Sequence, residues 1–272
     1  MDFNTSFIGN IAFDINSFYY GEKEEQLKTK NIGGACFYSA IPASLFYKVG
    51  MVGKVGGDFD ISIFSKYNID TKGIKIYPDE KTISFHQIYR HKNQKIREIE
   101  ENLNPRLVIT EKDIPKEYLK SKHIHITTNE PEIQLKLIKY IRKNSTAIIS
   151  IDTIGGYSKE KTTKEAFDLV DIAFIDKEFT NLFNCDAKVK IIKKGEQGCD
   201  YISQNEQFSI DVVKTKIVDK TGAGDCMNGV FINLISNGWE NKKALEMATK
   251  VATESIKENG IEHLRIKDIN NL

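Results

Sequence analysis

The segment Ile217-Val218-Asp219-Lys220-Thr221-Gly222-Ala223-Gly224-Asp225 ends an apolar, strand-like piece and opens a helix. Small residues at Gly222, Ala223 and Gly224 let the backbone turn sharply and aim several N–H groups at one point. Those amides stand at a helix N-terminus, where unpaired donors and the macrodipole favour an anion. A phosphate suits such a place. Asp225 is the anomaly, because a carboxylate repels phosphate. Placed there, it suits a proton acceptor for a hydroxyl that attacks the phosphate. A plainer role stays open: Asp225 complements the helix dipole and the glycines only make a tight turn. No G-x-x-x-x-G-K-[S/T] occurs, and Met227 stands where a G-x-G-x-x-G fingerprint needs its third glycine.

The stretch resembles the C-terminal signature of the PfkB (ribokinase-like) carbohydrate kinase family, written D-x-T-G-A-G-D. Asp219, Thr221, Gly222, Ala223, Gly224 and Asp225 all match it. The resemblance implies that Asp225 is the general base and that the Gly222, Ala223 and Gly224 amides form the anion hole. It implies ATP as phosphoryl donor, Mg²⁺ as its companion, and catalysis mainly by positioning and electrostatic stabilisation. Asp219 and Thr221 match positions that hold a monovalent cation in several members, so K⁺ activation is a further expectation.

Other segments resemble the family in the right order. Gly9-Asn10-Ile11-Ala12-Phe13-Asp14 is similar to its first strand, and Gly33-Gly34 to the glycine pair that opens its first helix. In relatives these groups contact sugar hydroxyls, and a carboxylate is well suited to accept two such bonds, so Asp14, Gly33 and Gly34 are expected substrate ligands. Asp14 as a turn cap is the competing role. The run Val49–Asp58 resembles the family's G-x-x-G-x-x-G-x-D. Lys193-Lys194-Gly195-Glu196-Gln197-Gly198 resembles the end of its nucleotide strand, which makes Lys193, Gly195, Gly198 and Thr221 expected nucleotide contacts.

Two positions depart. An Asn that binds substrate in relatives is Tyr38 here, which either offers a stacking surface or packs under a lid. The N-x-x-E motif that organises Mg²⁺ through water aligns with Asp176-Lys177-Glu178-Phe179. Its Glu is lost unless Glu178 takes over. Asn129 is a further candidate pocket residue.

These groups need a scaffold. At 272 residues the chain is long enough to bury a sizeable core. Expected strands are Phe7–Phe13, Met51–Val55, Leu107–Ile109, His123–Thr127, Ala147–Ile151, Ile172–Ile175 and Val189–Ile192, with helices at Gly33–Tyr47, Pro131–Arg142, Gly222–Ile235 and Asn241–Lys257. Asn241 is the expected N-cap of the last. Short strands alternating with helices predict a mostly parallel sheet covered on both faces. Gln207–Ile210 reads as a late antiparallel strand. The fold class is therefore α/β, a ribokinase-like three-layer α/β/α sandwich with a small β-sheet lid. Residues 1–272 are expected to form one kinase domain, with lid segments at about 15–32 and 80–105 inserted in it. Within the lid, Thr82–Arg90 and Lys95–Ile99 flank the polar turn His91–Gln94. If the lid makes a homodimer, as it does in some relatives, Phe85, Ile88 and Ile96 would be buried by the partner; otherwise they rest on their own core.

Composition excludes other classes. Thirty-nine Lys and Arg against 38 Asp and Glu give a net charge of +1, no basis for nucleic-acid binding. The charged runs Glu22–Lys30 and His91–Glu101 mix signs, as a solvated face does. No apolar run approaches the ~20 residues that span a bilayer. Cys36, Cys185, Cys199 and Cys226 form no C-x-x-C pair, and the N-terminus shows no secretory pattern, so reduced thiols in the cytoplasm are expected. The substrate is expected to be a small sugar, sugar derivative or nucleoside. The competing class is a non-catalytic protein that binds such a ligand on the same fold.

Overall fold

In the computed structural model, residues 2–19, 27–90, 95–152, 157, 159–261 and 263–264 are described, with 18, 27, 89, 90 and 95–100 as backbone only. Among these, the chain begins with β1 (Thr5–Ile8), every side chain of which is buried. It then leaves for β2 (Ala12–Tyr19) and β3 (Leu27–Gly33), and returns as α1 (Ala35–Ser44), β4 (Val49–Gly56) and β5 (Ile69–Tyr77). Next come β6 (Ser84–Arg90) and β7 (Lys95–Asn102), then β8 (His123–Ile126), α2 (Pro131–Asn144), β9 (Ile148–Ile151), α3 (Lys161–Asp168) and β10 (Ile172–Asp176). The chain closes with β11 (Val189–Lys193), β12 (Cys199–Ser203), β13 (Gln207–Ile210), α4 (Ala223–Ser236) and α5 (Asn241–Ser255).

Nine strands form the main sheet in the order β13-β12-β11-β10-β9-β8-β1-β4-β5. All neighbours are parallel from β11 to β5, while β12 and β13 run antiparallel at one edge. Alternate residues of each strand feed two different cores, as the two-residue period of a strand requires. Phe7, Met51 and Phe174 pack toward α1, α4 and α5, whereas Ile8, Val52 and Ile175 pack toward α2 and α3. Each fully buried Phe or Ile contributes roughly 1.5–3 kcal/mol over leaving it exposed. Helices α1 and α4 approach closely because Gly229 faces the α1 backbone; a Cβ there would meet the Ser39 carbonyl at 2.1 Å.

The second, smaller sheet is four-stranded, in the order β3-β2-β6-β7, and its strands fall within residues 12–33 and 84–102. The polar turn 91–94 and part of the run 22–30 lie outside the described residues. Phe85 rests on the chain's own Ala12, Ile83 and Leu107, and Ile88 is buried within the chain. The Ile96 side chain lies outside the described set.

Three expectations are corrected. Phe7–Phe13 is not one strand: it breaks after Ile8, where Gly9 passes so close to Thr127 that a Cβ would meet its Oγ1 at 1.8 Å. Leu107–Ile109 is apolar, with Leu107 and Ile109 buried and Val108 exposed, but it is not a strand, since the preceding Pro105 opens a short 3₁₀ turn to Leu107. Asn241 is the first helical residue rather than the cap, and its amide donates to Glu206 Oε2 over 3.0 Å. Strands β5 and β12 and helix α3 add to the expected set. No helix among the described residues is long and apolar enough to cross a membrane.

Candidate active site

Ligands of open α/β sheets gather beyond the carboxyl ends of the strands, and the charged groups collect there. Asp152 follows β9, Asp176 ends β10 and Lys193 ends β11. Lys193 Nζ lies 2.7 Å from Asp152 Oδ2 and 3.5 Å from Asp176 Oδ1. Burial opposes the charge on Lys193, but Asp152 and Asp176 outweigh it and hold its pKa above the ordinary lysine value. Asn228 Nδ2 also donates to Asp152 Oδ2, over 2.6 Å.

Gly222 has φ 73°, a left-handed conformation that glycine adopts without strain, and α4 starts at the next residue. Among the described residues, no backbone carbonyl accepts the N–H of Gly222, Gly224 or Asp225, while that of Ala223 donates to the Lys220 carbonyl over 3.3 Å. The hole expected from Gly222, Ala223 and Gly224 therefore has Ala223 engaged in the turn, with the Asp225 amide free instead. Gly224 faces the lysine: a Cβ there would stand 3.5 Å from Lys193 Nζ. Asp225 occupies the third helical position. Burial first, then the charge of Asp152, push its carboxyl up to about 8 against the pull of Lys193. Its Oδ1 is buried without a hydrogen-bond partner.

The smaller sheet supplies a second carboxyl. Asp14, on β2, is buried, and burial raises its carboxyl to about 6 although the Tyr38 hydroxyl and the Gly34 N–H both donate to it. A Cβ at Gly33 would land 2.1 Å from Asp14 Oδ2. Gly34 starts α1 with φ 85°. Tyr38 is only 3% exposed, with its ring against Gly222. Beside Asp14 on the same face of β2 and β3 lie Asn16, Thr29 and Asn31. Both amide atoms of Asn16, the Thr29 hydroxyl and Asn31 Nδ2 are buried without hydrogen-bond partners. Asn129 is buried, its Nδ2 3.4 Å from Asn10 Oδ1.

At the other end, Gly195 and Gly198 turn the chain between β11 and β12 with φ 58° and 81°. A Cβ at Gly198 would meet the Ile210 carbonyl at 1.8 Å, whereas Gly195 faces open space. Asp219 Oδ1 accepts from the Thr221 N–H, leaving Asp219 Oδ2 and Thr221 Oγ1 buried and without partners. Glu178 is exposed, near Asp176.

A carboxyl with a raised pKa beside free helix-terminal amides, facing a second carboxyl under a lid, is an arrangement for moving a proton next to an anion. Residues 4–266 match the model of the pfkB family carbohydrate kinases. The chain belongs to that family. Two curated relatives are a cytidine kinase of Thermococcus kodakarensis and a 5-dehydro-2-deoxygluconokinase of Listeria innocua. The first is 27% identical over 93% of this chain and 96% of its own. The second is 25% identical over 90% and 87%. Among solved structures, an E. coli protein assigned as a ribokinase II, in complex with ATP and Mg²⁺, superposes with a TM-score of 0.80 at 22% identity. The match covers 99% of this chain and 98% of that one. The pfkB chain is thus a kinase of the carbohydrate and nucleoside class with a ribokinase fold.

Asp152, Asn228 and Asn16 were missed in the sequence. Asp152 carried a signal, a carboxylate directly after an apolar strand. Asn228 lies three residues after Asp225 and faces the same way on a helix. Asn16 alternates with Asp14 along a strand. Among the described residues no three His, Cys, Asp or Glu side chains converge as a metal cage.

Proposed function

We propose that the protein transfers the γ-phosphoryl group of ATP to a hydroxyl of a sugar or nucleoside, with Asp225 as general base. The observation that carries this is Asp225 at the start of α4, its pKa raised and its Oδ1 unpaired, beside amides that no carbonyl takes. Asp14 and the Gly33-Gly34 turn grip hydroxyls of the acceptor. Asp225 then accepts the proton of the attacking hydroxyl while the free N–H groups of Gly222, Gly224 and Asp225 stabilise charge developing on the transferred group. Lys193, across from Gly224, and the Gly195–Gly198 loop approach the nucleotide. When bound, Mg²⁺ neutralises phosphate charge. Asp176, at the end of β10, and the exposed Glu178 are the candidates to hold that ion through water. Asp219 Oδ2 and Thr221 Oγ1 suit a K⁺ ion. In this reading both sheets belong to one domain, and the four buried free thiols suit the cytoplasm.

The experiment offers ATP, Mg²⁺ and a panel of sugars and nucleosides to the wild type and to Asp225→Asn. Turnover by the wild type and a loss of roughly 10²–10⁴-fold in the variant are expected; equal turnover by both removes Asp225 as the base. One observation favours a second reading, a binding protein without turnover: Phe179 stands in place of the family's Glu. Ligand binding with no ATP consumed across the panel would establish it.

A further inference from the structure

A cavity of about 330 Å³ opens between the lid and the main sheet, at the low end of the ~300–1,000 Å³ range of small-molecule sites. Phe85, Leu103 and Tyr157 give it apolar and aromatic walls, and Asn10, Asn129 and Glu101 supply polar groups. It continues the acceptor site. Asp14 on β2 is in register with Phe85 on β6, and Phe85 with Glu101 on β7, so all three face the same way. At the spacing of neighbouring strands, Phe85 lies about 5 Å and Glu101 about 10 Å from Asp14 along the sheet. On the main-sheet side Asn10 adjoins the glycine turn: its carbonyl is 2.5 Å from where a Gly34 Cβ would be.

The lining discriminates between acceptor classes. A free sugar carries hydroxyls on every side and would leave the apolar wall without a partner. Leu103 already stands 49% exposed, awaiting cover. A sugar acid meets the wrong charge: Glu101 and Glu130 line the cavity, and no Lys, Arg or His does among the described residues. Their field is felt by Tyr157, whose hydroxyl is raised by burial first and by those carboxylates next. A flat group with apolar faces and a hydrogen-bond donor at its edge satisfies both features. Aromatic side chains cover the faces, and a carboxylate, which only accepts, takes the donor.

We propose that this cavity takes the base of a nucleoside acceptor, and that Glu101 selects a base bearing an exocyclic amine, as cytosine and adenine do, over a keto base. This rests on the kinase reading: Asp14 holds the sugar while the base lies between Phe85 and the Asn10–Asn129 wall. Glu101 determines specificity and takes no part in phosphoryl transfer.

The test measures binding by calorimetry without ATP, and kcat/KM with ATP and Mg²⁺, for cytidine, adenosine, uridine, inosine, ribose and gluconate. Cytidine or adenosine is expected to bind roughly 10-fold or more tighter than its keto counterpart and than ribose, the effect of one charge-assisted hydrogen bond. Glu101→Lys, at an exposed strand position, should abolish or invert that preference, with thermal unfolding as the check on folding. Phe85→Leu keeps the lid packing apolar and should weaken every nucleoside while leaving ribose binding as weak as before. Ribose or gluconate binding as tightly as cytidine, or Glu101→Lys changing cytidine and uridine alike, overturns the proposal. The two readings fail separately. Cytidine bound but never phosphorylated leaves the cavity assignment standing and removes the kinase reading. A phosphorylated free sugar with no nucleoside bound does the reverse.

Discussion

The ring of Tyr38 lies directly against Gly222: a Cβ added to that glycine would come within 2.2 Å of Tyr38 Cγ. The same side chain hydrogen-bonds Asp14 through its hydroxyl. One residue thus braces the turn that carries the free amides and orients the carboxyl expected to grip the acceptor. Two variants separate these roles. Tyr38→Phe keeps the ring and removes a bond that lowers the Asp14 pKa, so Asp14 should titrate above its present value of about 6. Acceptor KM should rise at neutral pH with kcat little changed. Gly222→Ala forces a side chain into the ring at φ 73° and should lower kcat by roughly 10²-fold, the scale of a disturbed anion hole. Steady-state kinetics of both variants check this, and a kcat loss in Tyr38→Phe equal to that of Gly222→Ala would reject the division.

Asp225 makes stability and activity respond to pH in opposite directions. Its folded pKa, about 8, lies above the unfolded carboxylate value of 3.8. Between these values the folded state binds the extra proton, so stability falls as pH rises through that window. A general base, by contrast, works deprotonated, so kcat/KM should rise about tenfold per pH unit below 8 and level off above it. Asp225→Asn should abolish the rising limb. It should also unfold at a higher temperature than the wild type at pH 8, with the gap closing toward pH 4. Calorimetric scans across pH supply the second measurement; a wild type at least as stable as the variant at pH 8 contradicts the shift.

Lys193 pulls the Asp225 carboxyl down against Asp152, Asp14 and Asp176, which push it up. Lys193→Met removes the ammonium that Asp152 and Asp176 share, and breaking a buried pair costs roughly 3–5 kcal/mol. The variant should therefore melt lower, and adding Asp152→Asn should restore part of the loss. With Lys193 gone the Asp225 pKa climbs further, so the rising limb of kcat/KM should move to higher pH. An unchanged limb would show that the lysine does not act on Asp225.

Legibility of the site followed the range of the physics. The turn at Gly222–Asp225 was readable because backbone geometry and helix-terminal charge are local properties of a few adjacent residues. Gly33-Gly34 and Gly195–Gly198 were readable for the same reason. The tie from Asn228 to Asp152 spans 76 positions and exists only once α4 lies across the end of β9. Tyr38 was singled out as a departure, but its contact with Gly222 depends on the crossing of α1 and α4. In the fold, periodicity located the buried parallel strands. It failed at Phe7–Phe13, where apolar residues continue through a change of sheet, and at β5, a half-wet edge strand with a register shift near Gly50.

Asp219 Oδ2 and Thr221 Oγ1 are buried polar atoms without hydrogen-bond partners, one turn of chain ahead of the free amides. A buried acceptor left unsatisfied costs about 1–3 kcal/mol, and a carboxylate that is only 7% exposed needs compensation. A monovalent cation at this place would satisfy both atoms and stiffen the turn that leads into Gly222. Exchanging K⁺ for tetramethylammonium should lower kcat and the melting temperature together, since both would report loss of the bound ion. Asp219→Asn removes the charge that holds the cation, so its activity should be low and indifferent to K⁺. A wild type whose rate and melting temperature stay flat across a K⁺ titration would assign the two unpaired oxygens to water instead.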